Sequence, residues 1–498
     1  MTLWADCGWA VLRGSGIVLA GVVTAGGMRA LIASAPRRRG RLLWALHLVP
    51  WLTPVALVGY AWSRYSLSLI RHPGWIEALY CVLVWLRLTP VATLALHFAP
   101  TPIAPEALHC HRLARRSRGL VRGAASGLGL WVRGPGRAAA VAFALVFLLA
   151  FGEFEVANLM SLDTWTRALF DAQLGGLPLL ASLRLAAPAV ACEAGLLLVV
   201  LAVLASCRPT WRIAAGRRTR PRGMSRAALY LYLLAALSMV AAVPAFVVLR
   251  GTLRDVGLLT QSLTLGMDIG SSILFAALGA VAAYAAAGLV VHHVWRHGSW
   301  RLGLAEAFLL CVPGLLGPLV LGLVLLAGFQ LPGLEFFYDA PLPPPRGVGL
   351  VLLPFAVLRA AVPLVTGLTL LLFPFALLLR ALLAVSRPAV AAHAAALLAV
   401  SSDRGAARQG RRTLWALRRR GLFWVGFVLF WWGYFEVAAS HVLHPPGMTP
   451  VLVRLYNFMH YGQTAALSAM ACVAVAVPFV LLAVAWLARA GLRWVAAR

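Results

Sequence analysis

The tightest constraint on this chain is that apolar runs of about 20 residues, the length of helix that crosses a hydrocarbon core, recur from one end to the other. Short arginine-rich stretches separate them. With 62% hydrophobic and 12% charged residues and a mean hydropathy of +0.86, too little polar material is present to cover a soluble fold. The runs lack the strict alternation of barrel strands, so each must satisfy its backbone internally as a helix. The sequence therefore predicts an all-α polytopic membrane protein. Its first run, about Gly8 to Ala33, is too long for a cleaved signal and carries Arg13 and Arg29, so it reads as a retained span.

A formal net charge of +29 raises the question of nucleic acid, but no soluble domain is available to carry a basic binding face. The arginines instead follow the positive-inside pattern. Placing the N-terminus outside and the C-terminus in the cytoplasm puts about thirty arginines inside against about eight outside. Lipid headgroups are thus expected as neighbours and nucleic acid is not. The 7 cysteines are scattered without CxxC spacing and read as small core residues. No glycine-rich phosphate loop occurs and the chain has no lysine, so it cannot hydrolyse ATP alone. No nucleophile, base and orienting group stand at recognisable spacing, so no enzyme activity and no cofactor are expected. His441, His444 and His460 lack ligand spacing on one helix face, and no metal site is expected.

The stretch Phe154-Glu155-Val156-Ala157, preceded by Gly152, returns as Phe435-Glu436-Val437-Ala438, preceded by Gly433. Each copy ends an apolar run that follows a long basic stretch, and each leads into a polar segment and a further apolar run. A carboxylate inside an apolar run is costly enough that its recurrence points to duplication. Spans are expected at about Gly8 to Ala33, Leu42 to Trp62, Ile76 to Phe98, Ala138 to Met160 and Leu177 to Leu204. The second set falls at about Ile269 to Val291, Leu304 to Leu326, Val348 to Leu383, Gly421 to His441 and Ala465 to Leu487. A span at about Ala228 to Leu249 has no counterpart and supplies the crossing that lets the second set enter in the same orientation. The fold expected is about eleven transmembrane helices in two parallel repeats of about five. The organisation is then 1–206 for the first half, 207–266 for a basic linker and linking span, and 267–498 for the second half. Pro50 with Pro54, and Pro313 with Pro318, predict kinks at matching places. The stretch from Val348 to Leu383 exceeds one perpendicular crossing, so it is either a tilted, Pro363-kinked span or a span with an extra interfacial turn. Basic loops are expected over about Pro100 to Arg137 and Ser386 to Arg420.

These ordered features resemble the membrane subunit of binding-protein-dependent ABC importers, in particular iron(III)-type permeases with two halves fused in one chain. The residues carrying the likeness are Phe147 to Ala157, Phe430 to Ala439, His444 to Thr449, Val451 to Tyr456 and Ala465-Ala466-Leu467, with Tyr338-Asp339 and the Pro50 and Pro313 helices. The resemblance implies a permease that moves a solute of the iron(III), thiamine, phosphonate or polyamine class by alternating access. It also implies two separate ATPase domains and an external solute-binding protein as partners, in the inner membrane. In that family each cytoplasmic loop carries a Glu-Ala-Ala motif with a later glycine that docks the ATPase. The matching segments here are Glu106 and Ala107, Ala114 with Gly119, and Ala394-Ala395-Ala396 followed by Gly405. None reproduces the full motif, which motivates a second expectation of a permease-derived scaffold that no longer transports.

Glu155 and Glu436, with Glu153, are candidates for the pathway or its gate, because ionisable groups at that depth usually face an interior cavity. The plain alternative is that each pairs with an arginine such as Arg167, Arg454 or Arg359 to fix packing. Glu193 and Glu306, each alone in an apolar run, read as structural hydrogen-bonding groups. Arg167, Arg454 and Tyr456 are expected at an outer-loop contact.

Overall fold

A computed structural model describes residues 3–69, 71–98, 109–111, 113, 114, 127, 135–205, 225–254, 265–296, 300–337, 348–386, 389–460 and 464–495. Among these the chain is helical with no strand. The order of helices is the same twice over.

The first half opens with α1 (Leu3–Ser34), followed by α2 (Arg37–Leu52) and α3 (Val55–Ser68), which meet at a 69° bend, and then α4 (Pro73–Phe98). After the basic region come α5 (Pro135–Phe151), the short α6 (Glu155–Leu159), α7 (Trp165–Leu174) and α8 (Leu179–Ala205). A linking rod follows: α9 (Arg226–Ala236), a π-helical turn (Leu237–Ala242) and α10 (Val243–Arg254). The second half repeats the plan. Its α11 (Leu265–Arg296) precedes α12 (Trp300–Leu315) and α13 (Pro318–Phe329), bent by 97°, and then α14 (Val348–Ser386). The hairpin α15 (Ala389–Ala399) and α16 (Arg404–Tyr434) leads to the short α17 (Ala438–Leu443), α18 (Val451–His460) and α19 (Thr464–Val495).

Packing repeats with the order. In each half the opening helix lies against the long helix after the bent pair (α1 on α4, α11 on α14) and against the helix that ends at the glutamate (α5, α16). The second member of each bent pair lies on the short helix beyond that glutamate, α3 on α6 and α13 on α17. A Cβ on Gly59 would fall 3.3 Å from the Val156 Cα, and one on Gly322 would fall 3.6 Å from the Ala439 Cα. A glycine in each half thus lets two backbones approach closely, as small residues do between helices in lipid. The halves meet where α8 packs on α12, and the linking rod contacts both, α10 on α3 and on α19. The Trp62 indole donates to the Met239 carbonyl at 3.0 Å, which lies in the π-helical turn.

The two bends have different local causes. Thr53 is extended (φ −76°, ψ 126°), as the residue before a proline prefers, so the chain leaves α2 at Pro54. The second bend turns on Gly317, whose φ of +81° lies in the left-handed region open to glycine. Pro318 then starts α13 at a position where its missing N–H is no loss.

Among the described residues, eight helices are long and apolar enough to cross a membrane, or up to ten if each bent pair is one span. The protein is therefore a multi-pass α-helical membrane protein. The expected crossing over Gly421 to His441 is not among these helices: Arg418-Arg419-Arg420 cut short the apolar part of α16, and the helix ends at Tyr434. Of two further expectations, the first is narrowed to a single long helix and the second is corrected. The stretch from Val348 is one unbroken helix of 39 residues, about 58 Å long. The second basic region, expected as a loop, is α15 plus the first turns of α16, since Ala, Leu and Arg are strong helix formers. Asp403 caps α16, accepting from the Gly405 and Ala406 N–H groups at 3.0 Å each. Most of the first basic region, the linker from Arg208 to Gly223 and Tyr338-Asp339 lie outside the described residues.

Candidate functional site

The breaks in the helices converge. Pro54 and Val55 at the first bend, Gly314 to Val320 at the second, Gly152 to Glu155 between α5 and α6, and Phe435, Glu436 and Ala438 between α16 and α17 all line one cavity of about 250 Å³. Irregular backbone at membrane depth is tolerated only where it is buried in protein or lines such a cavity. The other walls come from Trp51, Leu88, Leu148 and Leu149 of the first half and Leu372, Phe375, Trp431 and Trp432 of the second. Trp432 sits edge-on to both Trp51 and Phe375, with ring centroids 6.0 and 4.9 Å apart.

Four carboxylates and one guanidinium reach this cavity: Glu153, Glu155, Glu193, Glu436 and Arg87. Glu153 accepts from the Val156 and Ala157 N–H groups at 2.7 and 3.2 Å. Glu436 accepts from the Ala439 and Ser440 N–H groups at 3.0 Å each and from the Ser440 hydroxyl at 3.2 Å. Each therefore supplies the negative charge that the positive end of a short helix favours. The residues after them match as well, Phe154 with φ −117°, ψ −42° and Val437 with φ −106°, ψ −47°. The structural partner of Glu436 is thus Glu153, not Glu155. The repeated Phe-Glu-Val-Ala letters are two residues out of register with the repeated geometry, and the position of Glu155 falls on Ala438 in the second half.

Glu155 has a different setting. Its carboxylate faces the Ala56 amide in the first turn of α3, and it interacts electrostatically with Glu153, Glu436 and Arg87. Arg87, on α4, is half-buried, interacts electrostatically with Glu153 and Glu155 and directs Nε to the Thr53 carbonyl at 3.5 Å. That carbonyl is left without a helical partner at the first bend. Arg87 was not singled out by sequence, although a lone arginine inside an apolar run was signal enough. Glu193, on α8, is 5% exposed and lines the cavity with no hydrogen-bond or ion-pair partner among the described residues. The structural hydrogen bond expected for it is not formed. Glu306, by contrast, pairs with His293 of the adjacent α11 at 3.6 Å.

None of the arginines proposed as partners meets these glutamates. Arg454 forms a two-pronged ion pair with Asp268 of α11, at 2.6 and 3.2 Å. Arg167 lies between Asp163, just ahead of α7, and Asp171 on α7, at 3.8 and 3.5 Å. Arg359 stacks over Phe336 at 4.4 Å. Tyr456 accepts from the Asn158 side chain at 3.1 Å, joining α18 to α6 across the halves. Arg454 and Tyr456 thus each have a polar partner within the molecule.

In the second expected docking segment, Ala394 is exposed, Ala395 is buried against α16 and Gly405 is exposed in the first turn of α16. A side chain on Gly410 would strike the backbone of Ala395 and Leu398, so this glycine lets the two helices close on each other. Of the first docking segment, Ala114 is helical and exposed, while Glu106, Ala107 and Gly119 lie outside the described residues. No group of three His, Cys, Asp or Glu side chains among the described residues could hold a metal ion. No family model, curated protein or solved structure matches this chain.

Proposed function

We propose that this chain is the permease subunit of an ABC-type importer of the inner membrane, moving a solute between its two halves by alternating access driven by a separate ATPase. One observation carries this reading: four helix breaks, two from each half in matching positions, meet at a single charged cavity. Pathways built from repeats place their site at the repeat interface and form it from discontinuous helices. On this reading the hairpin of α15 and α16, with Ala394 to Ala396, Gly405 and the exposed faces of Arg408 and Arg411, receives the ATPase on the cytoplasmic side. An external binding protein delivers solute at the opposite end, and the apolar end of α16 together with α17 makes the eleventh crossing, which leaves the N-terminus outside and the C-terminus inside.

The test is purification of tagged chain from its native membrane in mild detergent. A Walker-type ATPase that co-purifies with active hydrolysis is expected, and replacing Arg408, Arg411 and Arg412 by alanine is expected to weaken that association about tenfold. A chain that purifies intact without an ATPase overturns the proposal. The missing glutamate ahead of Ala394 favours a second reading, a permease-derived scaffold. A scaffold would retain partners while solute-stimulated hydrolysis is lost.

A further inference from the structure

The charges around the central cavity do not cancel, and the remainder defines a ligand. Glu153 and Glu436 are committed to the N-termini of α6 and α17, where they fill the places an anionic ligand would take. Glu155 stands at the N-terminus of α3 with Arg87 as its counter-charge. Glu193 remains. It is nine-tenths buried, faces the cavity and meets no partner, a condition that buried carboxylates in folded proteins rarely keep without a ligand to meet. The same cavity is lined by Trp51, Phe375 and Trp432, packed edge to face, and tryptophan faces hold organic cations as well as apolar bodies.

We propose that the cavity binds a small organic monocation, an ammonium or amidinium group on an apolar body, with the charge on Glu193 and the body against the Trp51 and Trp432 rings. This deepens the importer reading and rests on it for the direction of movement, though not for binding itself. A bare metal ion fits poorly, because the carboxylates are spread around the walls and no three potential ligands converge among the described residues. An anion fits poorly because four carboxylates line the cavity against one guanidinium, and three of them already stand at the N-termini of α3, α6 and α17. The volume of about 250 Å³ sits just below the range of about 300–1,000 Å³ typical of drug-sized ligands, which points to a small solute. The site is one-sided. Aligning the internal prolines Pro188 of α8 and Pro478 of α19 places Ala483 opposite Glu193, so only the first half offers a free charge.

The experiment is equilibrium dialysis of the full chain in detergent against labelled phenylethylammonium and against phenylpropanoate, its counterpart with a carboxylate in place of the ammonium. Saturable binding of the ammonium alone is expected, weakened about tenfold or more by Glu193→Gln and unchanged by Glu306→Gln, whose partner His293 lies elsewhere. Circular dichroism and gel filtration establish that each variant is folded. Equal or tighter binding of phenylpropanoate, no saturable ammonium binding, or undiminished binding in folded Glu193→Gln overturns the proposal. Failure here with an ATPase still associated removes the cation and leaves the importer. Cation binding without any associated ATPase does the reverse.

Discussion

Glu153 and Glu155 are two residues apart and have opposite duties. Glu153 holds two amides of α6, so Glu153→Ala removes a cap and is expected to lower stability by about 1–2 kcal/mol. Glu436→Ala is expected to cost a similar amount, because Glu436 makes the same bonds on α17. Glu155→Ala leaves both of those caps in place, with Glu153 still beside Arg87, and loses the single contact with the Ala56 amide of α3, so it should lower the thermal midpoint in detergent less than Glu436→Ala does. If Glu155→Ala proves as destabilising as Glu436→Ala, the register assigned to the repeat is wrong. The sequence pointed to three glutamates that line the cavity but paired the wrong two. Four matching letters in a chain rich in Ala, Val and Phe follow composition, whereas the geometric match follows where the helix stops and which carboxylate then reaches the freed amides. Arg87 and Glu193 were visible by the rule that flags ionisable groups in apolar runs, yet a single letter does not say whether a partner waits on the neighbouring helix.

Among the elements, the bent pairs were the most legible, since Pro50, Pro54, Pro313 and Pro318 announce interrupted helices. Less legible was that the second bend belongs to Gly317 rather than to a proline. Gly317→Ala forces a side chain into a left-handed conformation and is expected to cost about 1–2 kcal/mol. Gly328→Ala, at a position with nothing within 4 Å, should be neutral or slightly stabilising by thermal unfolding. The start of α16 makes a pH-dependent case. Backbone N–H bonds from Gly405 and Ala406 hold the Asp403 carboxyl below its usual value. A depressed carboxyl contributes its stabilisation above the unfolded value near 4 and loses it as the pH falls through the lower, folded value. Protection of the amides in the first turn of α16, taken relative to their intrinsic exchange at each pH, should therefore fall on acidification below about pH 4 in the parent, and should be low and unchanged in Asp403→Ala. An acid response that survives in Asp403→Ala would assign the effect to another group.

For the whole molecule, the remaining question is whether the bent pairs cross the membrane or turn back, which their length and composition leave open. The arginines favour crossing. If α2 with α3 turned back, α4 would run the other way, and the region from Arg112 to Arg133 would emerge on the side opposite Arg37-Arg38-Arg39, against the positive-inside rule. If α12 with α13 turned back, the first basic region and the turn between α15 and α16 would be separated by an odd number of crossings and would face opposite compartments. Crossing pairs keep every arginine cluster on one side and orient both halves alike, which the repeated packing of α1 on α4 and α11 on α14 also requires of a parallel repeat. Two probes suffice: Cys110, exposed in the first basic region, and Ser402→Cys, exposed in the turn before α16, each as the sole cysteine. An impermeant maleimide should leave both unlabelled on intact cells and label both after permeabilisation, while Asp171→Cys in α7 should label without it. Labelling Cys110 and Ser402→Cys from opposite sides would make the second bent pair re-entrant and leave the two halves unable to form a like-oriented pair.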